Sequence, residues 1–248
     1  MGCRTANGWD VNGFEQLKDG RGNICPVTII LPTLAMEAKE YTIKNATGED
    51  LEGQTVAKFM SILDQKLHEA KDMLIERFEW ICSQSPESAK FMWENGTMAG
   101  YDGKDIRSAL KHGTLAVGLL GMAETLQILI GEDQTCDNGL ELAKKICQLY
   151  KDRCDEFKHK YSLNFGVYFT PAENLCFTAM QRFKAKYGDI KNVSDKEFFT
   201  NSVHVPVWRE VTPFEKIDIE SQLDGYSSAG CIAYVELDST VKNNLGAL

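Results

Sequence analysis

The sequence is short of positive charge: 27 Lys and Arg stand against 36 Asp and Glu, a formal net charge of −9 with a pI near 5.1. A protein that coats nucleic acid carries a basic stripe, so no nucleic-acid polymer is expected as partner. A single nucleotide is not excluded, because one phosphate group needs only local donors. Paired cysteines are also missing. The eight cysteines are Cys3, Cys25, Cys82, Cys136, Cys147, Cys154, Cys176 and Cys231, with no C-x-x-C among them. That spacing excludes a zinc knuckle. With no secretory leader, free thiols in a reducing compartment, the cytoplasm, are expected instead of a disulfide framework. No long apolar run occurs either. Thr114 to Ile130 is the longest and contains Glu124 and Gln127, so no membrane span is expected. Met1-Gly2-Cys3 has the look of an acylated anchor, but Ala6 stands where the acylation pattern needs a hydroxyl.

What is present is ample apolar content, 43% of 248 residues, for one large domain or two small ones. The first twenty-odd residues are glycine-rich and loop-like. Ile24 to Leu31 reads as a strand apolar on both faces and closed by Pro32. Thr55 to Ser83 carries an apolar stripe from Val56 to Ile81 at helical spacing, and Cys136 to Tyr161 repeats the pattern. Ile106 to Ile130 reads as a buried helix despite Gly113, Gly118 and Gly121, which imply a close backbone approach or a break near His112-Gly113. Phe198 to Val207 and Cys231 to Leu237 read as further strands, and Pro213 opens a short helix to Leu223. Helices alternating with apolar strands predict an α/β fold, either a barrel or an open parallel sheet.

The stretch Phe165 to Cys176 carries the chemistry most clearly. An apolar strand runs into Thr170-Pro171-Ala172-Glu173, with Thr170 placed to cap a helix, Pro171 at its first position and Glu173 in its first turn. Unpaired N–H groups at such a junction bind phosphate, although an ordinary capped junction has the same sequence. Two other polar clusters sit at predicted strand ends or in the leading loop: Cys3-Arg4-Thr5, and Thr200 to His204 with Asn201, Ser202 and His204. Cys3 beside Arg4 has the surroundings of an activated thiolate.

Six ordered blocks then point further. They are MGCRT, GRGN leading into VTIILP, GTLAVGLLGMAETL, TPAENLC, FFTNSVHVPV, and TPFEKIDIES with GCIAYVEL. Together they resemble the anaerobic, glycyl-radical (class III) ribonucleoside-triphosphate reductases along essentially the whole chain. The resemblance implies part of a ten-stranded α/β barrel of the glycyl-radical enzyme and ribonucleotide reductase type. Residues 1–23 would form the finger loop that enters the barrel, and residues 24–248 barrel strands and helices.

Cys3 matches the family's thiyl-radical cysteine, Asn23 its substrate-site asparagine, and Thr170, Pro171, Ala172 and Glu173 its phosphate loop. Asn201, Ser202 and His204 match a cavity-lining loop. The implied substrate is a ribonucleoside triphosphate and the reductant formate or a dithiol protein. An activating partner with S-adenosylmethionine and an iron–sulfur cluster would generate the glycyl radical, and the complete enzyme would be a homodimer. No cofactor or metal is assigned to this stretch. Gly100-Tyr101 and Gly225-Tyr226 have Thr97 and Gln222 where a radical loop needs arginine, and Ile30 and Thr33 replace the family's asparagine and arginine. The regulatory ATP-cone and the C-terminal zinc and glycyl-radical regions are not recognised, so the chain reads as the middle of such an enzyme. A glycyl-radical lyase and a non-catalytic nucleotide-binding relic are the rival readings.

Overall fold

In the computed structural model, residues 5–235 and Gly246 are described. The order is β1 (Asn23–Ile30), α1 (Leu31–Asn45), α2 (Leu51–Cys82), α3 (Lys90–Glu94), α4 (Arg107–Leu110), β2 (Thr114–Leu120), α5 (Met122–Ile130), α6 (Asp137–Tyr161), β3 (Asn164–Tyr168), α7 (Glu173–Tyr187) and α8 (Pro213–Asp224). The three strands are parallel with β2 at the centre. Val27, Val117 and Val167 lie level across them, as do Thr28, Gly118 and Tyr168.

That register sorts the side chains onto two faces. Cys25, Ile29, Leu115, Val117, Leu119, Phe165 and Val167 join one core with Leu34, Phe59, Leu67, Leu126 and Phe157 from the helices. The other face carries Thr28, Ala116, Gly118, Gly166 and Tyr168, and its buried apolar residues form a separate small cluster of Ala116, Tyr168 and Ala229. Helices packed on one face and small or polar residues on the other make the wall of a barrel, not a doubly wound sheet covered on both sides. Residues 227–231 extend this wall beyond β3: Ala229 N–H donates to Val167 O at 2.8 Å and Phe169 N–H to Gly230 O at 3.0 Å. Ala6 N–H donates in turn to Ala229 O at 2.8 Å, so the leading segment lies against that extension.

Long elements match expectation where one face decides them. The α2 stripe of Phe59, Leu63, Leu67, Ala70, Leu74 and Phe78 is buried and its other side exposed. Other expectations need correction. Ile106 to Ile130 is not one helix but α4, then β2, then α5. β2 is buried at every position, and an apolar run buried on both faces carries no period that separates strand from helix. The glycines mark the breaks: at Gly113 an added Cβ would meet Gly22 O at 2.8 Å, and Gly121 has φ 78 between β2 and α5. Pro32 does not close β1 into a loop but sits in the first turn of α1, a helix that sequence reading missed. Phe198 to Val207 forms no strand, and neither do residues 231–235; residues 236 and 237 lie outside the described residues.

The leading segment is loop-like, as expected, yet firmly held. Asp10 is buried and joins it to the N-terminal ends of β2 and β3. Its carboxylate accepts from Asn164 Nδ2 at 2.7 Å and from the N–H groups of Asn12 and Phe14 at 3.0 Å, and lies 2.7 Å from His112 Nδ1. Phe14 stacks on the His112 ring with centroids 3.7 Å apart. Arg21 Nε donates to His112 O at 2.6 Å, and its Nη1 to Gly8 O and Leu17 O at 2.9 and 2.7 Å.

Burial alone would push the Asp10 carboxyl up, but the bonds from Asn164, His112, Asn12 and Phe14 hold it down at about 2. A depressed folded-state value means that ionised Asp10 stabilises the fold above about pH 4 and loses that effect as pH falls towards 2. Asp10→Asn is therefore expected to cost about 2 kcal/mol near neutrality, and the gap to the unaltered chain to close on acidification, measured by denaturant unfolding across pH.

Candidate active site

Thr170 to Glu173 leave the C-terminal end of β3 and enter α7. Thr170 is not the helix cap. Its hydroxyl meets Thr28 Oγ1 at 3.1 Å and donates to Tyr168 O at 3.4 Å. This pairing spans the central strand, because Gly118 of β2 lies between: an added Cβ there would collide with Thr170 Oγ1 and stand 3.0 Å from Thr28 Oγ1. Pro171 is likewise outside the helix, which starts at Glu173 with Ala172 as its cap residue at φ 55 and no capping side chain. Glu173 N–H donates to Pro171 O at 2.6 Å, and the N–H groups of Leu175 and Cys176 to Ala172 O at 2.6 and 3.2 Å. No described group accepts from the N–H of Ala172 or Asn174. The N–H groups of Ala172, Glu173 and Asn174 were expected to be free. That of Glu173 is taken by Pro171 O, so among the described residues the start is bare only at Ala172 and Asn174. It is formed by a left-handed residue instead of a threonine cap.

The Thr200 to His204 cluster faces this turn. Asn201 Nδ2 donates to Pro171 O, which brings the two loops together. Ser202 is fully buried with φ 41, and its carbonyl accepts from Met122 N–H at 3.2 Å. His204 Nδ1 lies 3.2 Å from Glu220 Oε1, without the direction of a hydrogen bond.

Buried side chains from the surrounding helices and turns supply the partners that a strand would have found in a sheet. Glu124 Oε1 accepts from Thr200 N–H at 2.8 Å and Thr200 Oγ1 at 2.7 Å. Gln134 Nε2 donates to Val203 O and His204 O at 3.0 and 2.5 Å, and Glu220 Oε1 accepts from Val205 N–H at 2.9 Å. Arg209 Nε bonds the buried Asp133 at 2.7 Å.

A cavity of about 590 Å³ opens where these loops meet, lined by Glu173, Asn174, Thr200, Asn201 and His204. Lys196, Arg209 and Lys216 also border it, each in an ion pair: with Asp195 at 2.8 Å, Asp133 at 2.7 Å and Glu220 at 2.7 Å. A second hollow of about 650 Å³, by Ser85, Lys90, Trp93 and Asp102, touches none of these residues.

Asn23 is not brought to this place. It pairs with Thr114 at the start of β1, five positions before Thr28 and therefore ~16 Å down the strand from the Thr170 turn. Its Oδ1 is buried without a partner. Cys3 lies outside the described residues. Among the other cysteines, burial pushes the Cys25 thiol up to about 11 and the Cys154 thiol up to about 12, which makes them plain packing residues. Among the described residues no three His, Cys, Asp or Glu side chains converge on a point that would hold a metal, and no helix is long and apolar enough to cross a membrane.

The family model for anaerobic ribonucleoside-triphosphate reductase matches residues 1–248. The chain belongs to that family. The anaerobic ribonucleoside-triphosphate reductase of Escherichia coli strain K12 is 30% identical over 256 residues, covering 100% of this chain and 34% of that protein. That of Enterobacteria phage T4 is 30% identical over 253 residues, covering 100% of this chain and 38% of that protein. The chain thus spans about a third of the length of the curated relatives it matches. A crystal structure of the anaerobic ribonucleotide reductase from Thermotoga maritima, with citrate in the active site, superposes with a TM-score of 0.68 at 19% identity, over 99% of this chain and 40% of that one. The fold is therefore a part of the anaerobic ribonucleotide reductase barrel, as the sequence resemblance implied.

Within that frame, Thr28, Gly118 and Glu124 are the site residues that sequence reading missed. Glu124 was visible as the lone acid in an apolar run, the signal that first served only to exclude a membrane span. Gly118→Ala is expected to cost about 1–3 kcal/mol in thermal unfolding, because its methyl group displaces the Thr28 and Thr170 hydroxyls.

Burial pushes the Glu124 carboxyl up to about 7 against the two bonds from Thr200, with Lys196 the cation nearest in effect. A raised carboxyl value means that the fold favours the protonated form, so stability falls as pH rises from 4.5 to about 7. Denaturant unfolding is expected to show that loss, about 3 kcal/mol, in the unaltered chain and its absence in Glu124→Gln.

Proposed function

We propose that this chain carries the substrate-handling part of a ribonucleoside-triphosphate reduction site, with the Thr170–Glu173 turn holding the phosphates. The observation that supports it best is the bare α7 start: the N–H groups of Ala172 and Asn174, which no group among the described residues accepts, lie beside a cavity lined by Asn174, Asn201 and His204. Helix N-termini with free N–H groups suit multiply charged phosphate without a dedicated cation. The paired state of Lys196, Arg209 and Lys216 fits that division of labour, since they leave the amides as the available donors.

In this reading Cys3 supplies the thiol of the radical relay. Its thiyl form removes the 3′ hydrogen of the ribonucleotide. The 2′ hydroxyl then leaves as water, two electrons come from formate or a dithiol, and the hydrogen returns to carbon 3′ as the thiyl is restored. Such chemistry needs a positioned thiol in a shielded cavity more than a low thiol pKa, so Arg4 is read as a loop residue and not as an activator of Cys3. The glycyl radical, the activating partner with S-adenosylmethionine and an iron–sulfur cluster, the zinc site and the homodimer belong to the same reading of the complete enzyme. Asn23, which the resemblance matches to the family's substrate-site asparagine, lies at the opposite end of β1 from the phosphate turn and is read as a substrate contact outside that cavity.

Two measurements test this. Calorimetry should show binding of a ribonucleoside triphosphate, which a lyase acting on a small carbon compound would not share. In the complete radical-bearing enzyme, Cys3→Ala should abolish nucleotide reduction while leaving triphosphate affinity within about threefold. Reduction that persists in Cys3→Ala removes the thiol from the mechanism and defeats the proposal.

A further inference from the structure

Residues 199–202 bridge two helix N-termini. At the start of α5, Gly121 N–H donates to Thr200 O at 3.1 Å and Met122 N–H to Ser202 O at 3.2 Å. One turn on, Glu124 Oε1 takes both the N–H and the hydroxyl of Thr200. On the other side Asn201 Nδ2 donates to Pro171 O, and Phe199 N–H donates to Cys176 O at 3.3 Å in the first turn of α7. Glu124 itself is wholly buried, and its Oε2 has no partner among the described residues. An apolar residue of similar volume would carry no such desolvation cost. The hydrogen bonds that its carboxylate accepts from another residue, among the described residues, both come from Thr200.

We propose that Glu124 is a positioning residue for the phosphate turn: through Thr200 and Asn201 it fixes the Pro171 carbonyl, and with it the direction of the Ala172 and Asn174 N–H groups. The inference rests on the proposed role of that turn in holding phosphate. Glu124 is not bonded to the turn and meets the cavity lining only at Thr200, so its effect on the turn must be transmitted by the 199–202 segment. The property required is an acceptor oxygen, which glutamine keeps and alanine removes.

The test is amide hydrogen exchange on the 248-residue chain and on Glu124→Ala, Glu124→Gln and Asn201→Ala, with binding of inorganic tripolyphosphate measured alongside. The informative amides are those of Glu173, Leu175 and Cys176, which are hydrogen-bonded, and that of Thr200. Glu124→Ala should exchange about tenfold faster at all four while β1 and β2 stay protected, and tripolyphosphate affinity should fall about tenfold. Glu124→Gln should restore both to within about threefold. Asn201→Ala should release the α7 amides and leave Thr200 protected.

Unchanged exchange at Glu173, Leu175 and Cys176 in a folded Glu124→Ala overturns the proposal, because Glu124 would then anchor its own loop and nothing more. If Glu124→Ala fails to fold, Asn201→Ala decides: protected α7 amides overturn the coupling and released ones support it. Should tripolyphosphate fail to bind the unaltered chain, the phosphate reading falls, and the exchange pattern still decides whether the two loops are coupled.

Discussion

A backbone N–H or C=O that is buried outside a helix or sheet must still find a partner, and the working parts of this chain are held by that requirement. The leading segment and the 199–209 loop are both irregular, and both lie against the ends of a rigid parallel sheet. In each, a few buried polar side chains take the place of ladder bonds. Asp10, Asn164 and Arg21 do so at the N-terminal ends of the strands, and Glu124, Gln134 and Glu220 at the opposite side. Such side chains fix a loop at named atoms. A strand in the same place would have fixed it only to its neighbour, with its side chains alternating between faces.

The two sets differ in electrostatic character. Asp10 receives donors on both oxygens, and its carboxyl is held well below the ordinary range. Glu124 receives donors on one oxygen only, in apolar surroundings, and its carboxyl is pushed up. The first arrangement rewards ionisation and adds to stability. The second penalises it, so ionised Glu124 does not add to stability as ionised Asp10 does.

Legibility in the sequence followed the range of the deciding interaction. α2, α6 and α8 were readable because one amphipathic face, or the Thr212–Glu215 capping box, settles each of them locally. The β3–α7 junction was readable too, but its cap was assigned to Thr170. The hydroxyl of that residue is taken by Thr28, 142 residues away, and nothing in the local pattern announces such a partner. The Phe198 to Val207 run has strand composition, yet its backbone bonds go to Glu124, Gln134 and Glu220. Thr114 to Leu120 failed for the opposite reason, since burial on both faces removes the period that would have identified a strand. Of the candidate site, the two loops that meet at the cavity were singled out from the sequence, whereas the side chains that support them, Thr28 and Glu124, were not.

Gly118 shows how the wall and the site are joined. On the helix-packed face, β2 presents Leu115, Val117 and Leu119 and is filled as a core strand must be. On the other face it thins to Ala116 and Gly118, and at Gly118 the flanking strands reach over it to pair Thr28 with Thr170. The space left by one missing side chain lets Thr170, the first residue of the proposed phosphate turn, be held from two strands away. On the sheet side Thr170 is bonded to Thr28, and on the helix side the Pro171 carbonyl is bonded to Asn201, whose neighbour Thr200 is bonded to Glu124. A turn pinned from two independent directions keeps its N–H groups oriented before any ligand arrives. Preorganisation of that kind lets dipoles act on phosphate without first paying to reorient.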